Sequence, residues 1–322
     1  YKLNVILCLM VIWGLFSCQN NSNSGHSSEG GTPVIFDTDT NNELDDQHAL
    51  AYLLMSGNTC DVKGITVNAT HNGGHISNHL KEAERVLKLC TLHGKVPLLT
   101  GANGDFTTIK DHVHQKKFDG AQAVRFIIEA AKKQKENKLV VLAVGKLTNV
   151  ALAIQKAPEI AEQIRLVWLG SNYPEPGEYN LQNDIPAMNF LLQSAVPFEL
   201  VSVRYGKPSG TDAVRVTKDQ VLEKMPGLGP KAPEPVKGRH GELHYTFGDY
   251  SANLFRHIDL YGEPPSRALF DMAAVAIVKN PQWAEAKTIP APLMKDKQWV
   301  NQGENDRKII LRENFDRDKI IA

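Results

Sequence analysis

The chain has no net charge to spend on a polyanion: 36 Lys and Arg balance 36 Asp and Glu. No basic surface for nucleic acid is implied, and nucleic-acid recognition drops out as a function class. Cysteine is scarce, with four residues in 322. Cys8 and Cys18 lie near the N-terminus, which leaves Cys60 and Cys90 in the body of the chain. Each sits in an apolar pattern, so buried free thiols are expected in preference to a disulfide. Long apolar runs are missing too. The best, residues 5–16, is too short to span a membrane and has the length of a signal-peptide core.

What is there begins with that leader. Residues 1–17 hold one charge, Lys2, and Leu15-Phe16-Ser17-Cys18 looks like a bacterial lipobox. We read residues 1–17 as a signal peptide, Cys18 as the lipidated residue and residues 18–31, rich in Ser, Asn and Gly, as a flexible tether. A secreted or periplasmic protein, tied to a bacterial membrane through Cys18 alone, is the expectation. Residues 32–322 are long enough for one large α/β domain with a sizeable core.

The densest chemistry lies in residues 34–50, where Asp37, Asp39, Asp45 and Asp46 fall within ten residues at the end of the apolar run Val34-Ile35-Phe36. Ala49, Leu50, Leu53 and Leu54 then recur at helical spacing. Asp45 or Asp46 stands where an N-cap is expected. A strand delivering carboxylates into a loop that opens a helix is the carboxyl edge of an open α/β sheet, where such folds bind ligands. Four crowded acids raise one another's pKa or hold a cation. Oxygen ligands on a loop favour Ca²⁺ or Mg²⁺ over Zn²⁺, and one of the acids can take a proton from an attacking water. A phosphatase of the HAD type also starts with a strand and Asp-x-Asp. It would use Asp37 as nucleophile, but has no use for Asp45-Asp46.

Further strands are expected at 62–67, from 96, and at 138–143, 164–169 and 198–203, and helices at 76–93, 121–133 and 249–260. A polar loop, Asn68-Ala69-Thr70-His71-Asn72-Gly73-Gly74, follows the second strand, and a long polar segment, 101–120, carries His112 and His114. Residues 207–241 are rich in Pro, Gly and charge and read as surface excursions.

The aspartate element resembles the N-terminal motif of the nucleoside hydrolase superfamily, Asp-x-Asp-Pro-Gly-x-Asp-Asp, although the segment between Asp39 and Asp45 is two residues longer and lacks Pro-Gly. Other runs follow in family order. Val144-Gly145-Lys146-Leu147-Thr148-Asn149-Val150-Ala151 is similar to Thr-Gly-Gly-Leu-Thr-Asn-Ile-Ala, and Glu178-Tyr179-Asn180 to Glu-Phe-Asn, with Asp184 spaced as the family's next Asp. Phe270-Asp271-Met272-Ala273-Ala274-Val275-Ala276 is similar to His-Asp-Pro-x-Ala-Val-Ala. The resemblance covers about residues 33–285. It implies an open, mostly parallel mixed sheet with helices on both faces, and an N-glycosidase that splits ribonucleosides with the help of one Ca²⁺. It implies metal ligation by Asp39, Asp46, the Val144 carbonyl and Asp271, with Asp39 also the catalytic base. Asp45, Asn72, Glu178, Asn180 and Asp271 would face the ribose, Asn172 would stand in for a missing asparagine, and Asp37 would support the loop from behind. Relatives commonly form homo-oligomers, and we extend that expectation here.

Phe270 replaces the histidine that helps protonate the departing base in many relatives. His240, His244, Tyr173 and, more remotely, Trp168 are the residues the sequence offers in its place. A calcium-dependent riboside- or sugar-binding lipoprotein that lost the acid is the alternative outside enzymes.

Overall fold

Val34 and Phe36 point to one face of the first strand and Ile35 to the other, and all three are inaccessible to solvent. That pattern belongs to a strand covered on both faces. The computed structural model describes residues 30–300 and 306–322. The leader, Cys18 and all but the last two tether residues therefore lie outside the described residues. No described helix is long and apolar enough to cross a membrane.

Eight strands form the central sheet. In chain order they begin with β1 (Thr32–Thr38), β2 (Cys60–Val67), β3 (Leu98–Thr100), β4 (Leu139–Ala143), β5 (Ile164–Leu169) and β6 (Phe198–Val201). The chain runs outward from β1 to β2 and β3, returns to lay β4 against the other side of β1, and continues through β5 to β6, all parallel. Lys308–Glu313 adds a parallel strand beside β6, and Glu285–Pro290 closes that edge antiparallel. These last two strands lie mostly beyond the span of the family-like motifs. The order reverses between β1 and β4, so the loops leaving them diverge and open a crevice at their carboxyl ends.

One face of the sheet is covered by α1 (Leu44–Leu54), α2 (Ile76–Leu89) and the helices Phe247–Arg256 and Phe270–Lys279. The other carries Ala121–Lys132, Thr148–Lys156 and Ile185–Gln193. α1 is enclosed nearly all round, with ten of its eleven residues buried. Its N-cap falls two or three residues earlier than the Asp45 or Asp46 that the sequence suggests. Glu43, in extended conformation, is the N-cap and makes no side-chain capping bond, while Asp45 and Asp46 fall in the first turn. Their carboxylates face the helix N-terminal dipole and are free for other work. α2 ends at Leu89, short of the expected 93, because Thr91 turns into the left-handed region at φ 57°. Cys60 and Cys90 are buried free thiols.

Asn149 knits the crevice together. Its Nδ2 donates to Asp37 Oδ2 at 2.8 Å and to the Val67 carbonyl at 3.1 Å, and its Oδ1 accepts from the Ala102 amide at 2.8 Å. It thus joins the ends of β1 and β2 and the segment after β3, in a position sealed from solvent. Asn149→Ala leaves those buried groups unpaired, at about 1–3 kcal/mol for each important loss. The expected outcome is a total loss of about 2–4 kcal/mol in denaturant unfolding, with the slope against denaturant unchanged. A loss under about 0.5 kcal/mol would show that the amide does not tie these loops.

Candidate active site

Five loops at the carboxyl ends of β1, β2, β4, β5 and β6 surround a cavity of about 300 Å³. The helix Phe270–Lys279 brings its first turn to the same space. Asp39, Asp45, Asp46, Glu178 and Asp271 all line it, and each is at least 93% shielded from solvent.

Asp37, two residues before Asp39, does not reach the cavity. Its Oδ1 accepts from Asn68 Nδ2 at 2.5 Å, and its Oδ2 from Thr66 Oγ1 at 2.6 Å and Asn149 Nδ2 at 2.8 Å. A fully engaged, solvent-inaccessible carboxylate is not a nucleophile, so the phosphatase alternative fails on geometry. The group instead braces the strand end beneath Asp39. The two extra residues of the loop, compared with the family pattern, are pinned by Asn41. Its Nδ2 donates to the Gly73 carbonyl at 2.8 Å, its amide donates to His79 Nδ1 at 3.3 Å, and its carbonyl accepts from Arg239 at 3.3 Å. Side-chain bonds thus shape a turn that Pro-Gly would shape by backbone preference.

Asp45, Asp46 and Asp271 each bring an oxygen within 4.8 Å of the other two. The tightest group therefore includes Asp45, which the sequence reading gives to the ribose, and leaves Asp39 and the Val144 carbonyl beside it. Asp46 is oriented by Thr38 Oγ1, which donates to its Oδ1 at 2.7 Å. Thr70 Oγ1 donates to Asp39 Oδ2, whereas Asp39 Oδ1 has no partner although buried. Asn42 Oδ1, on the cavity wall, is likewise an orphaned acceptor. Burial first, and then mutual repulsion, raise these acids: Asp39 and Asp45 to about 7, Asp46 and Asp271 well above the ordinary carboxylate range. Buried, mutually repelling oxygens with idle lone pairs fit a hard divalent cation.

Glu178 caps the short helix Tyr179–Asn183 from a left-handed backbone, φ 123°. Its carboxylate accepts from the amides of Ser171 at 2.6 Å, Asn180 at 2.9 Å and Leu181 at 2.8 Å. It is held rigidly while still facing the cavity. Asn180 Nδ2 donates to the Val144 carbonyl at 2.9 Å and to the Leu169 carbonyl at 3.2 Å. The two residues assigned to metal and sugar thus meet each other. Asn72 lies on the exposed rim, its amide donating to the Tyr179 hydroxyl at 2.7 Å.

Some expected residues stand elsewhere. Asn172 does not line the cavity; its Oδ1 accepts from the Tyr205 amide at 2.8 Å, so it shapes the loop. His240 stacks on His257 with ring centroids 4.2 Å apart, and His244 packs against Tyr250. Neither enters the cavity, because the excursion carrying them lies against α2 through Arg85, which donates to the Lys237 carbonyl at 2.7 Å. Tyr173 packs on Trp299, and Trp168 is buried beneath Gly145, whose carbonyl accepts from its Nε1 at 3.0 Å. His112 and His114 are exposed and remote from the cavity. Asp184 caps the helix Ile185–Gln193 and accepts from Thr148 Oγ1 at 2.5 Å.

Other wall residues carry no local sequence signal. Tyr205, Asp212, Arg215, Tyr261 and Arg267 line the outer half of the cavity with Phe270. Arg215 and Arg267 lie on two strands, Arg215–Thr217 and Ser266–Ala268, that pair antiparallel across fifty residues of chain.

The matches with known proteins agree with this geometry. Residues 34–310 match the model of the inosine-uridine preferring nucleoside hydrolases, and the chain belongs to that family. A pyrimidine-specific ribonucleoside hydrolase of Citrobacter koseri is 30% identical over 189 residues, 51% of this chain and 58% of that protein. Uridine nucleosidase 1 of Arabidopsis thaliana is 25% identical over 257 residues, 71% of this chain and 69% of that one. A purine-preferring ribonucleoside hydrolase from Gardnerella vaginalis shares the fold, with a TM-score of 0.66 at 19% identity over 90% of this chain and 96% of that one. The protein is an N-glycosidase by family, and the family is metal-dependent.

The raised carboxylates make stability depend on pH in a definite sense. An acid whose folded pKa exceeds its unfolded value, about 4, stabilises the fold fully below the unfolded value. That contribution is lost as pH rises through the folded value, about 7 for Asp39 and Asp45. Cation-stripped protein should therefore lose several degrees of Tm between pH 5 and pH 8. A divalent cation that binds the cluster, at about a hundredfold above its Kd, should restore about 2.7 kcal/mol at pH 8. A Tm that rises with pH after chelation contradicts the repulsive cluster.

Proposed function

We propose that the protein hydrolyses the N-glycosidic bond of ribonucleosides to ribose and free base, with Ca²⁺ held among the carboxylates. The observation that carries the reading is the convergence of Asp39, Asp45, Asp46, Asp271 and Glu178 on one cavity, with Asp39 Oδ1 unpartnered. An all-oxygen donor set of this density suits calcium better than zinc. When bound, the ion supplies positive charge that orients and acidifies a water and grips sugar hydroxyls.

The chain's own residues supply the rest. Asp39, with one oxygen fixed by Thr70 and the other idle, is set to accept a proton from the attacking water. The surrounding carboxylates are complementary to the positive charge that develops on the sugar ring as the bond to the base weakens. Glu178 is preoriented by three backbone amides, so little reorganisation is needed as that charge grows. Carboxylate and amide groups together accept from and donate to vicinal hydroxyls, which supports Asp45, Glu178, Asn72 and Asn180 as ribose contacts. The sequence Leu15-Phe16-Ser17-Cys18 supports lipid anchoring at Cys18, outside the cytoplasm of a bacterium.

The test is release of free ribose from a panel of purine and pyrimidine nucleosides, with and without chelator. Calcium-restored release is expected, and Asp39→Asn should lower kcat by about a hundred- to ten-thousand-fold. Ribose and calcium bound tightly with no turnover of any nucleoside would replace the hydrolase with the sugar-binding reading.

A further inference from the structure

The outer half of the cavity differs in kind from its acidic floor. Tyr205 and Tyr261 are 47% and 55% exposed there, which marks it as the mouth. Phe270 meets Tyr205 edge to face with ring centroids 6.0 Å apart. Arg267 lies over the Tyr261 ring at 5.4 Å, and Arg215 shares the wall. Aromatic rings suit a planar aglycone by stacking, and guanidinium planes both stack on it and donate to it. With the sugar hydroxyls turned to the carboxylates, the substituent at C1′ points to this mouth.

Among the described residues, no carboxylic acid or histidine in the mouth is placed as a proton donor. Phe270 has none to give, and an arginine does not deprotonate in a protein. The mouth's two carboxylates hold the arginines: Asp212 pairs with Arg215 at 2.7 Å, and Glu43 pairs with Arg267. These pairs fix each guanidinium while using only part of its five N–H groups. A leaving group that receives no proton departs as an anion, and preoriented N–H donors are what such a departure needs.

Resting on the ribonucleoside hydrolase reading, we infer that Arg215 and Arg267 stabilise the aglycone as it departs as an anion, and that the enzyme selects ribosides of acidic leaving groups. The C1′–N bond breaks with its electron pair passing to the aglycone nitrogen. The water oxygen bonds to C1′, and the proton it gives up passes to Asp39. The anionic aglycone leaves along the guanidinium groups and takes its proton from bulk water after release. A base that departs only after ring protonation, such as adenine, is a poor fit. A riboside that is cationic before cleavage, such as nicotinamide riboside, gains nothing from the arginines.

The experiment compares kcat/KM for the full chain with calcium on p-nitrophenyl riboside, uridine, adenosine and nicotinamide riboside, for the native protein and for Arg267→Met, Arg267→Lys and Arg215→Met. The native protein should favour p-nitrophenyl riboside over adenosine by about a hundredfold or more, the scale of a missing acid. The methionine variants should lose at least tenfold more on p-nitrophenyl riboside and uridine than on nicotinamide riboside, and Arg267→Lys should recover part of that loss. A purely structural role would lower all four substrates together and would overturn the inference. So would a loss in Tyr261→Phe or Tyr205→Phe that exceeds those of the arginine variants on the same substrates, because it would place a proton donor there. No cleavage of any riboside by the native protein would instead bring down the hydrolase reading beneath it.

Discussion

Electrostatic repulsion among buried carboxylates is the constraint around which the site is built. Asp39, Asp45, Asp46 and Asp271 are nearly inaccessible to solvent, the last three bring oxygens within 4.8 Å of one another, and Asp39 adds its charge to theirs. Isolated ionised groups of this kind are unfavourable in a low-dielectric interior. The fold tolerates them because much of the surrounding structure is devoted to holding them in place. Asp37 receives three side-chain hydrogen bonds directly beneath them, Thr38 and Thr70 each donate to one acid, and the first turn of α1 presents two at its positive end. What these donors do not satisfy is left for a cation, so the site is best described as a scaffold strained toward metal binding.

The sheet explains how residues so far apart reach one point. Because the strand order reverses between β1 and β4, the loop carrying Asp39 and the loop carrying Val144 leave in opposite directions and cannot fill the gap between them. Asp271 enters from a helix packed over α1, more than two hundred residues away in sequence, and completes the group. Gly145 permits the close approach: a Cβ there would come within 2.9 Å of both Asp39 Oδ1 and the Asn68 side chain.

The acidic motif and its strand–loop–helix setting were legible in the sequence because their signals are local. A continuous apolar strand end, acid density and helical spacing all lie within residues 34–54. The reading of Asn172 did not match its position, because a loop asparagine looks the same whether it faces a ligand or caps a neighbouring turn. It holds the Tyr205 amide. His240 and His244 were attractive as polar residues near a gap in the chemistry, but their positions are decided by how an excursion of Pro and Gly docks on α2, which no periodicity reports. The strand Glu285–Pro290 was missed because it is an exposed edge, with none of the apolar run that marks β4, whereas Lys308–Glu313 carries Ile309-Ile310-Leu311 but lies past the family-like motifs. Arg215 and Arg267 became neighbours only through a short antiparallel ladder between distant segments.

Phe270 therefore need not be a lesion. It begins the helix that carries Asp271, and its ring packs against Tyr205, so the position is structurally occupied and not vacated. A histidine at that point would add a titratable cation beside Asp271 and compete for its charge. The present chain instead puts guanidinium donors in the same outer half of the cavity, each anchored by a carboxylate of its own. The cavity thus has an anionic end that suits a sugar cation and an aromatic end carrying fixed guanidinium N–H donors, each paired with a carboxylate, that suits an electron-rich ring. As a C1′–N bond breaks, charge separates in that same direction, and a field fixed before the substrate arrives does more for that step than a group that must reorient.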